Sequence, residues 1–237
     1  MIVRPADGVL YLIAQPDHAA LARRIMERWV PLYGADRRAS ILNAVEQHDN
    51  GWRELDAEPL RDPATGRVFD FITIPVPLRQ AVWPRGVGRL AQSDPWAGAL
   101  VAHHAATIYD RFRLDEDWHA FFAEMEATRD RLLEVSGGSR SDLYHDYRFL
   151  RLGDLASLAF CTRTGETLTY DEWSFRLEGD RLVVSPDPFD GRERPIAVHA
   201  RAIPDVPFES DTAYRAAWLS APAVTVRAVA SGTGADS

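Results

Sequence analysis

The chain contains no lysine; all 27 of its basic residues are arginine. Schiff-base catalysis through a lysine amine is therefore excluded, and any clamp on a phosphate or carboxylate must be a guanidinium. Cysteine occurs once, at Cys161, which rules out an intramolecular disulfide and a thiolate zinc site within one chain. Long apolar runs are missing too. Val9 to Ala14 is too short for a membrane span or a secretion signal, and no cationic stretch precedes it. A cytoplasmic protein is expected. Positive charge is in deficit: 35 acidic residues leave a net charge of −8, which argues against a nucleic-acid polymer or a membrane surface as partner. The composition leaves a homodimer open.

What is present is an ordinary globular composition, 46% apolar over 237 residues, enough for one large domain or a domain with an appendage. Ile2-Val3 and Val9 to Ala14 read as short extended segments around the Asp7-Gly8 turn. A helix follows from about His18 to Trp29, opened by Pro16-Asp17, with Ala22, Ile25, Met26 and Trp29 on one face. The next helix starts near Ser40 and ends at Gly51. From Arg53 to Gly88 proline, glycine and scattered charges leave little periodicity, the mark of a lid or of a wrapping excursion. Helices are expected again over Trp96–Arg111, Asp117–Val135 and Asp142–Cys161. After Gly165 the pattern alternates: a hairpin over Trp173–Leu177 and Arg181–Ser185, then strands at Pro195–Ile203 and Val224–Val229, with a short helix at Asp211–Leu219 between them. The expected fold is mainly α, with a helical domain over 1–165, an antiparallel β-rich extension over 166–230 packed on it, and a disordered tail over 231–237.

Chemistry concentrates on the helices. His48 and Asp49 are adjacent, about 100° apart on a helix, so both can lean on one ion lodged between that helix and its neighbours. Imidazole and carboxylate are ligands that borderline and hard divalent metals accept. His18 lies on an earlier helix, His103-His104 on a later one, and Asp154 on a later one still. Asp49 and Asp154 stand among apolar residues, where an unpartnered carboxylate would be costly. His119 and His145 sit amid charges and read as exposed; His199 has no visible partner.

This ordered set resembles the HD-domain superfamily of metal-dependent phosphohydrolases, whose all-helical core holds its metal with a first-helix His, a His-Asp doublet and a late-helix Asp. His18 matches the first histidine, His48 and Asp49 the doublet, and Asp154 in Leu152-Gly-Asp-Leu-Ala-Ser-Leu158 the closing aspartate. The closer likeness, over roughly residues 10 to 165, is to an uncharacterised bacterial branch in which Gly-Trp and an acidic segment follow the doublet, here Gly51-Trp-Arg-Glu-Leu-Asp56. The resemblance implies an HD-domain-like bundle. It also implies one divalent ion (Mn, Fe, Zn, Ni or Mg) held by His18, His48, Asp49 and Asp154, with one of His103 and His104 as an added histidine. His104 is favoured for that metal and catalytic role, because it shares a face with Leu100 and Ile108; His103 would then lie beside the substrate.

Such a site would hydrolyse a small phosphate ester or nucleotide through metal-activated water. Asp49 would serve in catalysis, Glu54 or Asp56 as general base, and Arg53, Arg163 and Arg151 as phosphate ligands. Two alternatives stand beside it: a non-catalytic module of the same kind that binds a ligand or partner, and a di-iron oxygenase, for which His103-His104 is the only feature.

Overall fold

The computed structural model describes residues 1–234. Its strands are β1 (Ile2–Ala6), β2 (Val9–Ile13), β3 (Leu168–Tyr170), β4 (Trp173–Glu178), β5 (Arg181–Ser185), β6 (Arg194–Pro204) and β7 (Ala223–Gly232). The helices are α1 (Gln15–Met26), α2 (Arg38–Gln47), α3 (Arg53–Ala57), α4 (Val76–Ala91), α5 (Pro95–Ile108), α6 (Glu116–Ser136), α7 (Arg140–Thr162) and α8 (Asp211–Ser220).

All the strands join one seven-stranded sheet in the order β1-β2-β6-β7-β5-β4-β3. Pairing is antiparallel except between β5 and β7, which run parallel from Arg181↔Val229 to Val184↔Gly232. The expected helical bundle with an antiparallel C-terminal appendage is thereby corrected to a mixed α/β fold. The N-terminal hairpin docks on β6, with Val9 opposite Pro204 and Leu12 opposite Arg201. The physical cause is visible in β2, where Leu10 and Leu12 are buried while Val9 and Tyr11 are half-exposed. That period of two needs a sheet to cover it, and the nearest uncovered edge belongs to β6, almost two hundred residues downstream.

Helices α1 and α7 lie against the sheet; α2 and α5 pack on them, and α4 and α6 pack on α5. Trp29, fully buried just past the end of α1, stands 4.5 Å from Trp173 and 5.9 Å from Phe189, ring centre to ring centre. Aromatic pairs at that spacing add about 0.5–1.5 kcal/mol beyond their buried area. The helical half and the strand-rich end consequently share one continuous core. The other face of the sheet is covered near β1, β2 and β6 by Phe208 and Tyr214 of the α8 region.

The helix ends follow local chemistry. Asp94 caps α5 by accepting from the Ala97 N–H, ahead of Pro95. Ser139 and Asp142 form a reciprocal capping box on α7, directly after the left-handed Gly137 that closes α6. Helix α2 departs from expectation: it begins at Arg38 without a side-chain cap, so Ser40 lies inside its first turn.

The stretch without periodicity contains α3 and α4. Pro77 in the first turn of α4 is compatible with a helix, but Pro84 is interior and removes a backbone donor. Beside it the turn Asn50-Gly51 presses onto α4; a Cβ on Gly51 would sit 1.9 Å from the Val82 carbonyl oxygen. Asn50 Nδ2 donates to the Gly86 carbonyl at 3.2 Å, and Arg89 Nη1 to the Asn50 carbonyl at 2.8 Å. These contacts support a helix whose sequence pattern is broken. At the other end, Ser231 and Gly232 complete β7, and the Thr233 N–H donates to the Val184 carbonyl. The remainder of the expected tail, 235–237, lies outside the described residues.

Candidate metal centre

Four elements bring five ionisable side chains to one point. Helix α1 supplies His18 from its buried face; the end of α2 supplies His48 and, one residue on, Asp49; α5 supplies His104; α7 supplies Asp154. All five are at most 5% exposed. Gly153 lets the supporting helices close up beside Asp154, because a Cβ there would come within 2.8 Å of Met26 Cγ on α1 and 3.1 Å of Val45 Cγ1 on α2. The C-terminal end of α2 faces the cluster, and the partial negative charge of a helix C-terminus favours a cation.

His18 Nε2 stands 2.9 Å from Asp49 Oδ2 and 3.2 Å from His48 Nε2. His48 Nε2 stands 3.4 Å from Asp49 Oδ2 and 3.6 Å from Asp154 Oδ1, and His18 Nε2 lies 3.9 Å from that same oxygen. Ligands about 2.1 Å from a shared ion are separated by about 3.0 Å along an octahedral edge and about 3.4 Å along a tetrahedral one. The observed separations fit one cation against His18, His48 and Asp49, with Asp154 Oδ1 3.9 and 3.6 Å from the two imidazoles.

The back of each imidazole decides which nitrogen faces the centre. His48 Nδ1 lies 2.8 Å from the Val45 carbonyl, which can only accept, so Nδ1 carries a proton. His18 Nδ1 lies 2.8 Å from Ser157 Oγ, whose own proton goes to the Asp154 carbonyl at 2.9 Å, so this imidazole also donates from Nδ1. As neutral rings, both therefore turn Nε2 lone pairs toward the two carboxylates. Four lone-pair donors converging in a buried place are a poor arrangement for one another and a good one for a metal, with Val45 and Ser157 as the partners that orient the ligands.

The electrostatics agree. Burial alone would lower the pKa of His48, but Asp49 and Asp154 outweigh it and raise the pKa to about 9. Burial pushes the Asp49 and Asp154 carboxyls up, yet the facing histidines, joined at Asp154 by Arg151, hold both below the usual carboxylate range. Burial lowers His104 to about 3, only partly offset by Asp154. His104 Nδ1 meets the Tyr147 hydroxyl at 3.3 Å, and its Nε2 is 3.8 Å from Asp154 Oδ2. It stands beside the His18–His48–Asp49 group, in a second group with His48 and Asp154.

A cavity of about 420 Å³ opens onto the cluster. Its walls include Trp52, Trp83 and Tyr109 and three cations, Arg79, Arg111 and Arg151. Three buried polar atoms of lining residues, Gln15 Oε1, Trp52 Nε1 and Arg79 Nε, find no hydrogen-bond partner among the described residues. Leaving such atoms unpaired costs about 1–3 kcal/mol each.

Other residues singled out by sequence lie elsewhere. Arg53 is exposed and donates to Gln47 Oε1. Glu54 is exposed and ion-paired with Arg85 and Arg89. Asp56 is buried but engaged, bonding the Met1 amino group and the Gln15 N–H at 2.6 Å each. Arg163 is exposed in a left-handed turn that ends α7. His103 points away from the cluster, its ring 4.5 Å from Tyr147 and 5.2 Å from Tyr144, and lines a separate polar cavity with Arg129 and Arg140. His119, His145 and His199 are exposed. Among the phosphate candidates, Arg151 alone reaches the centre. Ser157 and Gln15 were missed, although each lies one turn from a ligand, Asp154 and His18 respectively. Arg79 was out of reach of sequence reading because α4 was not recognised.

The fold and the site define an α/β protein with a buried imidazole–carboxylate centre at the floor of a cation-lined cavity. The chain belongs to the family described as protein of unknown function DUF3891, whose model matches residues 1–205 and so spans all five residues of the cluster. Comparison with curated proteins and with solved structures gave no match. The family match carries no link to the HD-domain superfamily. No helix among the described residues is long and apolar enough to cross a membrane.

Proposed function

We propose that this protein is a metal-dependent hydrolase of a small phosphate ester or nucleotide, working with one divalent ion. The observation that carries the reading is a buried His18–His48–Asp49 group, with Asp154 beside it, opening onto a cavity lined by three guanidiniums. The order of the donors along the chain, His then His-Asp then Asp, is also that of the HD-type hydrolases, and this likeness of ligands supports the reading although the folds differ.

Two nitrogens and two oxygens suit Mn, Fe, Zn or Ni better than Mg, which prefers all-oxygen shells. A bound divalent ion would supply Lewis acidity to a phosphoryl oxygen and to the attacking water. The chain's own residues would do the rest. Arg151 and Arg111 would bind the anionic group, Arg151 from its place 2.7 Å from Asp154 Oδ2. Asp49 would accept a proton, and Trp52, Trp83 and Tyr109 would cover the remainder of the substrate and exclude water.

The test is metal analysis of protein purified without chelator, joined to turnover of phosphomonoesters and phosphodiesters by wild type and by Asp49→Ala. Near-stoichiometric metal with turnover, both lost in Asp49→Ala, is the expected result. Turnover by metal-free protein would refute the reading. A metal-loaded protein inert across the whole panel would favour a binding module instead.

A further inference from the structure

Asp154 presents its two oxygens to two different places. Oδ1 faces His48 Nε2 at 3.6 Å and His18 Nε2 at 3.9 Å. Oδ2 faces His104 Nε2 at 3.8 Å and Arg151 Nη1 at 2.7 Å. A carboxylate so placed, with a histidine beyond each oxygen, is laid out to bridge two cations, as in centres where two metals sit about 3.5–4 Å apart. One place groups His18, His48 and Asp49; the other groups His104 and Asp154 with the same His48.

The second place also already holds a positive charge. Arg151 lies one turn before Asp154 on α7, with its side chain about three-quarters buried, and reaches the cavity wall. Its planar donors match carboxylate and phosphate oxygens, and those not given to Asp154 remain for a ligand.

We propose that Arg151 stands in for a second metal: the centre takes one ion, and a fixed guanidinium holds the anionic group that a second ion would otherwise bind. This rests on the metal reading above and adds the reason why the centre is mononuclear. It also assigns His104 a place beside the ion, oriented by Tyr147, whose recruitment as a ligand Arg151 prevents.

Manganese provides the probe, because its stoichiometry is measurable by calorimetry and a coupled pair has a distinctive electron paramagnetic resonance signal, neither of which needs a substrate. Wild type and Arg151→Lys are expected to bind about one ion per chain with an uncoupled signal. Arg151→Gln, which removes the charge with little change of shape, and Arg151→Glu, which adds a ligand, should both approach about two, with exchange coupling. Adding His104→Ala to Arg151→Glu should return the count to about one. Circular dichroism melts would establish that each variant is folded. Folded Gln and Glu variants that stay at one ion would overturn the inference while leaving the metal reading intact; a wild type that takes two would overturn the inference and the one-ion count, but not metal dependence. A wild type that takes none would overturn both.

Discussion

Loading the centre with a cation must expel a proton, and that exchange sets a steep pH dependence. The His48 pKa is raised to about 9 in the metal-free protein. Its Nδ1 is committed to the Val45 carbonyl, so the additional proton resides on Nε2, the atom that faces the other donors. At pH 7 the group lies about two units below its pKa, and each unit lowers apparent affinity tenfold, about 1.4 kcal/mol. Affinity for Zn is therefore expected to rise roughly a hundredfold from pH 7 to pH 9 and then flatten. The metal-free fold responds in the opposite sense. Because the folded pKa lies above the ordinary 6.5, the stability that His48 gains from its carboxylate partners is complete below about pH 6.5 and disappears as pH rises through about 9, a loss of at most about 3 kcal/mol. Asp49 and Asp154, whose pKa values are lowered, contribute stability above the ordinary carboxylate range, and this is lost as pH falls. Competition with a chromophoric chelator across pH 6.5–9.5 measures the affinity. Calorimetry at pH 7 in buffers of different ionisation enthalpy should count about one proton released per ion. A flat affinity profile with no proton release would refute this account of the centre.

Ser157→Ala removes the acceptor behind His18 and should weaken metal binding about 10–100-fold while the fold persists, read by the same chelator competition. Gly51→Ala forces a Cβ against the Val82 carbonyl and should cost about 1–3 kcal/mol, seen as a lower urea midpoint with unchanged slope. Glu54→Ala should leave metal content and turnover at wild-type levels and shift stability by no more than about 1 kcal/mol, because its partners Arg85 and Arg89 are themselves partly exposed. Loss of turnover in that variant would return Glu54 to the active centre.

That His18 and Asp154 turn inward was legible in the sequence because both sit on strongly patterned helices. His18 lies among Ala22, Ile25 and Met26 at helical spacing, and Asp154 lies among leucines on α7, so both had to point inward. Residues chosen for nearness in sequence were placed less well. Arg53 and Glu54 follow the doublet by a few positions, but the tight Asn50-Gly51-Trp52 turn rotates them outward at the start of α3. His103 and His104 are neighbours about 100° apart on α5, and only His104 turns into the cluster while His103 lines a separate cavity. Helix α4 was invisible because Pro84 and paired glycines suppress its pattern, and contacts from Asn50 and Arg89 stabilise it instead.

The absence of lysine, the solitary Cys161, the acidic balance and the inward faces of α1, α5, α6 and α7 are properties of the chain read locally, and no packing was needed to know them. Packing alone decided that Val9 to Leu12 pairs with β6, that β5 and β7 run parallel, and that the centre draws its residues from α1, α2, α5 and α7 together. The division has a simple physical origin. Local periodicity dictates which side of an element is apolar, but which distant surface covers it, and which charges meet there, depends on the competition of all buried surfaces at once.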